Sequence, residues 1–366
     1  MSDVFAAFQN TIHGWFQQNA QQFQYVTLPA AQVSAVPGAA EIAYGQPLTP
    51  QKSYFRLWLS EMFLTDAKNW FTDLFPAVHA ATTLKFGGQN AVTVSRVGTP
   101  TEEQMAGGPR LNLCLLDLTP FSGGTVTVQT TLLAVPGKND LAAALGVLKD
   151  VSELVAPPLG TALAVAQKVS GGLQSLADVT GATPRLHFAQ TFTNAGGGGG
   201  ADLRTGYVAV LRATAQSVDA ARLRVVNDRL HLAPASQSGP TTAFTGCDYL
   251  LLRIEGRTER DDWRLAPIAD PLDRAITAAQ MGRTDEVQAY RTVALTAALE
   301  SPDLAVHDRR RVVQAIKAEI GDWEAGALGG TGDQARDLNG IMAARALPLD
   351  QAANLPPLTF AEVFGA

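Results

Sequence analysis

The sequence predicts an α+β protein: a β-sandwich-like body, an inserted helical hairpin and a C-terminal helical region. Two observations carry that expectation. Short runs rich in Val, Thr, Leu and Phe, bounded by Gly and Pro, recur between Ser53 and Trp263, as strands do. Beyond Pro267 the apolar residues fall instead at helical spacing. The expected division is an aromatic helix and extended connector over 1–51 and a β-rich domain over 52–264 with an αα-hairpin at about 140–180. A helical region over 265–324 and a loosely structured tail over 325–366 complete it.

At the N-terminus, Phe5, Phe8, Ile12 and Trp15 recur at helical spacing among Gln and Asn, so one face of a helix is aromatic and the rest is amide. Such a face is expected to dock on the protein's own body or on a partner. Residues 27–50 hold four prolines and no sustained period, the composition of an extended connector. YFRLWLSEMFL then reads as a buried strand leading into a helix at 66–75 that Pro76 stops. ATTLKF and AVTVSRV flank a Gly-containing loop at 87–90, which predicts a β-hairpin.

LNLCLLDL and TVTVQTTLLAV are strands joined at 119–124, and the Thr/Val alternation of the second puts a polar face outward. Asn139 or Asp140 caps the first helix of the αα-hairpin, and Pro157-Pro158 separates it from the second. RLHFAQTF, GYVAVLRAT, ARLRVVNDRLHL and CDYLLLRIEGRTE return to strand patterning, with a tract of glycines at 196–200 as a loop and Asn227-Asp228 as a tight turn. Helices are expected over 270–281, 284–299 and 301–320, the last started by Ser301 as N-cap and Pro302 at its first position.

Composition narrows the function classes. The chain has 366 residues, of which 46% are apolar, enough to fill a core, and 17% are charged. With 28 Lys and Arg against 34 Asp and Glu the net charge is −6, so no overall field holds a phosphate backbone and nucleic acid is not an expected partner. The start lacks a basic n-region, and the reading is cytoplasmic. Cys114 and Cys247, each within an apolar strand-like run, are expected as buried free thiols. The uncharged stretch at 154–167, interrupted by two prolines, is too short to span a bilayer, which makes a membrane partner unexpected without excluding it. Heavy use of Ala, Gly, Asp and Arg with few Lys fits a GC-rich bacterial genome.

The chemistry-bearing motifs are absent: no Gly-x-x-x-x-Gly-Lys-Ser/Thr loop, Gly-x-Ser-x-Gly elbow, His-Glu-x-x-His helix, Cys-x-x-Cys pair or calcium loop occurs. No catalytic residue, metal or cofactor is therefore expected. The five histidines stand apart in sequence, although His187 and His231 lie in strands able to neighbour one another. That leaves open a site combining either with Cys114 or Cys247.

The sharpest charged feature runs from Arg253 to Arg264. Arg253, Glu255 and Arg257 share a strand face, with Arg260 and Trp263 close behind, and arginines near a tryptophan have the composition of a docking edge. These five residues, with Phe5, Phe8 and Trp15 of the first helix, are the candidate docking set. A basic run at 307–311 is a second candidate, more in keeping with local salt bridging. The leading expectation is a non-catalytic protein-binding or assembly component of a cytoplasmic bacterial complex, whose partner is another protein or itself. A membrane-acting protein and a hydrolase with a non-contiguous active site are the alternatives.

Overall fold

A computed structural model describes residues 24–34, 42–65, 74–86, 92–98, 110–136, 183–194, 201–214, 216–236 and 239–324. The expected N-terminal helix with Phe5, Phe8 and Trp15, the αα-hairpin at 140–180, the glycine tract and the tail lie outside the described residues. In chain order the strands are β1 (Gln24–Leu28), β2 (Val33–Ser34), β3 (Tyr54–Phe63), β4 (Leu74–Lys85), β5 (Val92–Gly98), β6 (Arg110–Pro120) and β7 (Thr125–Pro136). They continue with β8 (Thr183–Thr193), β9 (Ala201–Asp202), β10 (Gly206–Leu211), β11 (Leu223–Val226), β12 (Arg229–Leu232), β13 (Thr242–Ala243) and β14 (Tyr249–Arg257). Helices α1 (Ala266–Gln280), α2 (Thr284–Glu300) and α3 (Asp308–Glu324) follow. The protein is thus mixed α+β and mostly sheet, in two compact units. The first takes the described residues of 1–49, 55–118 and 123–256, the second those of 50–54, 119–122 and from 257 onward.

In the first unit, three antiparallel-rich sheets have the orders β1-β10-β14-β3-β6, β13-β12-β11-β2 and β5-β4-β7-β8-β9. The first sheet is covered on both faces. Tyr207, Ala209, Leu211, Tyr249 and Leu251 pack with Leu223, Val225, Leu230 and Phe244 of the second sheet. From the opposite face Val208, Leu252 and Ile254 meet Val128, Phe188 and Phe192 of the third sheet around a small apolar gap. Burial on two sides is why GYVAVL and YLLL are continuous hydrophobic runs rather than alternations, and every residue of β10 is buried.

The expected hairpin is present, with β4 and β5 antiparallel from Val78↔Gly98 to Leu84↔Val92. The expected helix at 66–75 is corrected at its end, since Leu74 and Phe75 open β4 and Pro76 lies within it, opposite Ala134 of β7. Among the described residues β5 pairs with β4 only from Val78 onward, so Pro76 has no strand partner on that side to which it would owe a donor. β6 and β7, adjacent in sequence, belong to different sheets. Gly123 and Gly124, at φ +88° and +99°, redirect the chain between them. A Cβ on Gly124 would lie 2.3 Å from the Lys85 carbonyl oxygen, so no side chain fits. The Asn227-Asp228 turn also holds: both residues have positive φ, 52° and 63°, as a type I′ hairpin between β11 and β12 demands.

In the second unit the three helices enclose a core of Ile268, Leu272, Val287, Leu295, Val313 and Ile316, with Trp263 packed into it. α1 starts earlier than expected because Pro267, near its N-terminus, lacks an N–H that would have had no intrahelical acceptor anyway. The expected helix start at Ser301 is corrected. Ser301 Oγ accepts the Asp303 N–H at 3.2 Å within a turn, Leu304 and Ala305 are buried, and the helix begins only at Asp308.

Candidate functional site

Strand alternation places Arg56 and Trp58 on one face of β3, and Arg253 and Glu255 on one face of β14, its neighbour in the first sheet. The two pairs meet. The Arg56 and Arg253 guanidinium carbons lie 5.6 and 5.2 Å from the Trp58 ring centroid, so the indole carries two cation–π contacts. Trp58 Nε1 donates to Glu255 Oε2 at 2.9 Å, which fixes the ring plane.

The ends of this strip are fastened by carboxylates. On one side Arg56 donates to Asp117 Oδ1 of β6 through Nε at 3.1 Å and Nη2 at 3.0 Å. On the other, Arg253 Nη1 donates to Asp228 Oδ2 at 2.7 Å, and Asp228 also accepts the Tyr207 hydroxyl. The strip reads Asp117, Arg56, Trp58, Arg253 and Glu255, Asp228: two arginines flank the indole and carboxylates anchor both ends. The Arg56 and Asp117 side chains remain 21% and 33% exposed, whereas Asp228 is nearly enclosed at 5%.

The expected docking residues are split by this arrangement. Arg253 and Glu255 belong to the strip in the first unit. Arg257 belongs to the second unit, where it pairs with the exposed Asp261 at 2.8 Å. The Arg260 and Trp263 side chains are buried in the interior of that unit: Arg260 Nε reaches Asp262 at 3.1 Å, and Trp263 is part of the helical core. Arg56, Trp58, Asp117 and Asp228 were not among the expected docking residues. A signal existed, since Arg56 and Trp58 alternate with leucines, but the run reads as core on both faces until Asp117 and Glu255 supply partners from other strands.

No family model and no curated protein sequence matches this chain. Its functional reading therefore rests on the geometry of its own residues.

Both cysteines are free and only part-buried, and burial pushes each thiol up to about 11, the reverse of the depressed value of a nucleophilic cysteine. His187 and His231 belong to different sheets. His187 shares a rung with Thr131, whose Oγ1 lies 2.9 Å from its Nδ1, and Thr131 in turn pairs with His79. His79 is buried, and that burial, then the neighbouring His187, lower it to about 4. Glu61 is raised by burial, opposed by the Leu230 N–H at 2.7 Å, the Tyr249 hydroxyl and Arg229 at 3.1 Å. The Leu230 and Arg229 donors tie β3 to the second sheet, a positioning role. Among the described residues no three His, Cys, Asp or Glu converge as a metal site would require, and no helix is long and apolar enough to cross a membrane.

Proposed function

We propose that the protein is a non-catalytic binding or assembly component of a cytoplasmic bacterial complex, built on a β-sandwich body, whose docking surface is the strip around Trp58. The observation that supports this reading is the Arg56–Trp58–Arg253 stack, a part-buried tryptophan held between two guanidiniums. Tryptophan and arginine are the residue types that dominate binding energy when a partner excludes water from them. A ring already fixed by Glu255 loses little rotamer freedom on binding, so the surface is preorganised. The opposite charges of Asp117, Arg56 and Glu255 set register and select against mismatched partners, which is what such charges do more effectively than raising affinity.

The test is a photo-crosslinking residue in place of Trp58 in the full chain, read by mass spectrometry with light scattering alongside. Adducts to another protein or to a second copy of this chain, lost on Arg56→Ala, are expected. Adducts confined to the same molecule, in a protein whose solution mass stays monomeric, would overturn the reading.

A further inference from the structure

Thr82 in β4 and Thr130 in β7 are 1% and 0% exposed, and neither hydroxyl oxygen has a hydrogen-bond partner among the described residues. Their placement is not independent. The register pairs Thr82 with Val128 and Ala80 with Thr130, so the two threonines stand on the same face of adjacent strands, one step diagonal from each other. That face is the core face. Val128, opposite Thr82, and Phe188, opposite Thr130, both line the gap toward the first sheet.

Leaving a buried hydroxyl unsatisfied forfeits its hydration without return, and two on one patch is an arrangement that a fold rarely retains without a partner. Diagonal Cβ atoms in an antiparallel pair are somewhat under ~7–8 Å apart. Side chains turned toward each other bring their oxygens within about 5–6 Å, the span of two hydrogen bonds of roughly 2.8 Å meeting at one oxygen. Ala80, directly across from Thr130 and two residues from Thr82, carries only a methyl group between the two hydroxyl-bearing positions. The neighbouring gap, lined by Leu57, Leu115, Val128, Phe188 and Leu252 among others, offers almost no polar wall and is the kind of space that stays dry.

We propose that Thr82 Oγ1 and Thr130 Oγ1 form a buried hydration site, in which one water molecule bridges the two hydroxyls and ties β4 to β7 on the core side of the third sheet. The water is a structural ligand of the fold, and this inference is independent of the docking strip.

The sign of a mutational effect decides the matter. Valine matches threonine in shape and strand preference, so Thr82→Val and Thr130→Val remove one hydroxyl each with little repacking. With a bridging water, each single variant strands the other hydroxyl and lowers Tm by about 2–4 °C, and the double variant falls no further than the worse single one, because the pair acts as a unit. With two independent orphans, each valine removes a penalty, Tm rises, and the rises add. Rising values, or lowered values that add in the double variant, overturn the proposal. Should a valine variant fail to fold, a high-resolution crystal structure of the unaltered protein decides. A density peak within hydrogen-bond distance of both oxygens supports the bridge, and its absence overturns it.

Discussion

The Tyr54 hydroxyl donates a hydrogen bond to Asp308 Oδ2 at 2.8 Å and accepts one from the Ala305 N–H, also at 2.8 Å. Asp308 is 1% exposed, and its remaining lone pairs are taken by the Arg260 N–H at 3.1 Å and Arg311 Nε at 2.6 Å. Arg311 in turn donates to the Arg260 carbonyl at 2.7 Å. The network closes the segment before α3 and settles the N-terminus of that helix with a negative charge, the sign its dipole favours. Tyr54→Phe removes one donor to a buried charge and is expected to cost about 2 kcal/mol. Asp308→Ala leaves Arg311 buried without its nearest carboxylate and is expected to cost about 3–5 kcal/mol. Urea denaturation of the two variants measures both, and equal losses would contradict the ranking.

Two arginine–aspartate pairs of similar length should differ sharply in worth. Arg253 and Asp228 meet at 2.7 Å with side chains 12% and 5% exposed, and Asp228 also holds Tyr207. Arg257 and Asp261 meet at 2.8 Å, but Asp261 is 76% exposed. Asp228→Ala is expected to destabilise by about 3–5 kcal/mol, as breaking a buried pair does. Asp261→Ala is expected to cost under about 0.5 kcal/mol and to be indistinguishable from wild type at high salt.

Gly256 is a close-packing glycine. A Cβ there would sit 2.6 Å from Thr205 Cγ2 and 2.9 Å from Leu48 Cδ2, and Thr205 is pinned by its hydroxyl on the Ala43 carbonyl at 2.6 Å. Gly256→Ala is expected to cost about 1–3 kcal/mol through overpacking. Gly321 in α3 meets nothing within 4 Å, so Gly321→Ala should instead stabilise by up to about 1 kcal/mol. Opposite shifts in the denaturation midpoint are the expected result.

His79 makes stability depend on pH in a definite direction. Burial, followed by the nearby His187, lowers it from 6.5 to about 4, so the unfolded chain takes up a proton before the folded one does. Its contribution is fully present above pH 6.5 and is lost as pH falls through the window down to about 4. The full loss is on the order of 3 kcal/mol. His79→Leu should flatten that part of the profile relative to wild type. Parallel pH profiles for the two proteins would show that another group is responsible.

How much of this could be read in advance varies with the range of the interaction. The β4–β5 hairpin, the Asn227-Asp228 turn and the positions of α1 and α2 were legible because each is written in neighbouring residues. The start of α3 was not: Ser301-Pro302-Asp303 has every local mark of a helix start, yet the Tyr54 hydroxyl takes the Ala305 N–H and holds the chain in a turn. Leu74 and Phe75 were misassigned because Pro76 reads as a helix stop, and only the extent of β5 among the described residues reveals that Pro76 has no strand partner on that side. The strip around Trp58 was half legible. Arg253 and Glu255 announce themselves within a charged run, but Trp58 sits in a run that reads as core, and its surroundings come from β14, 197 residues later in the chain.

The Tyr54–Asp308 bond spans 254 residues, and this separation sets a schedule. At a synthesis rate of about 5–20 residues per second, Tyr54 leaves the ribosome roughly 10–50 s before its acceptor does. The segment 50–54, like 119–122, is an early-made part of a unit whose described helices follow β14 in the chain. A nascent chain halted after β14 would carry Tyr54 and Phe121 with nothing of α1, α2 or α3 to receive them. A chain halted at that point therefore leaves the Tyr54 hydroxyl without the Asp308 carboxylate and the Ala305 N–H that engage it in the folded protein.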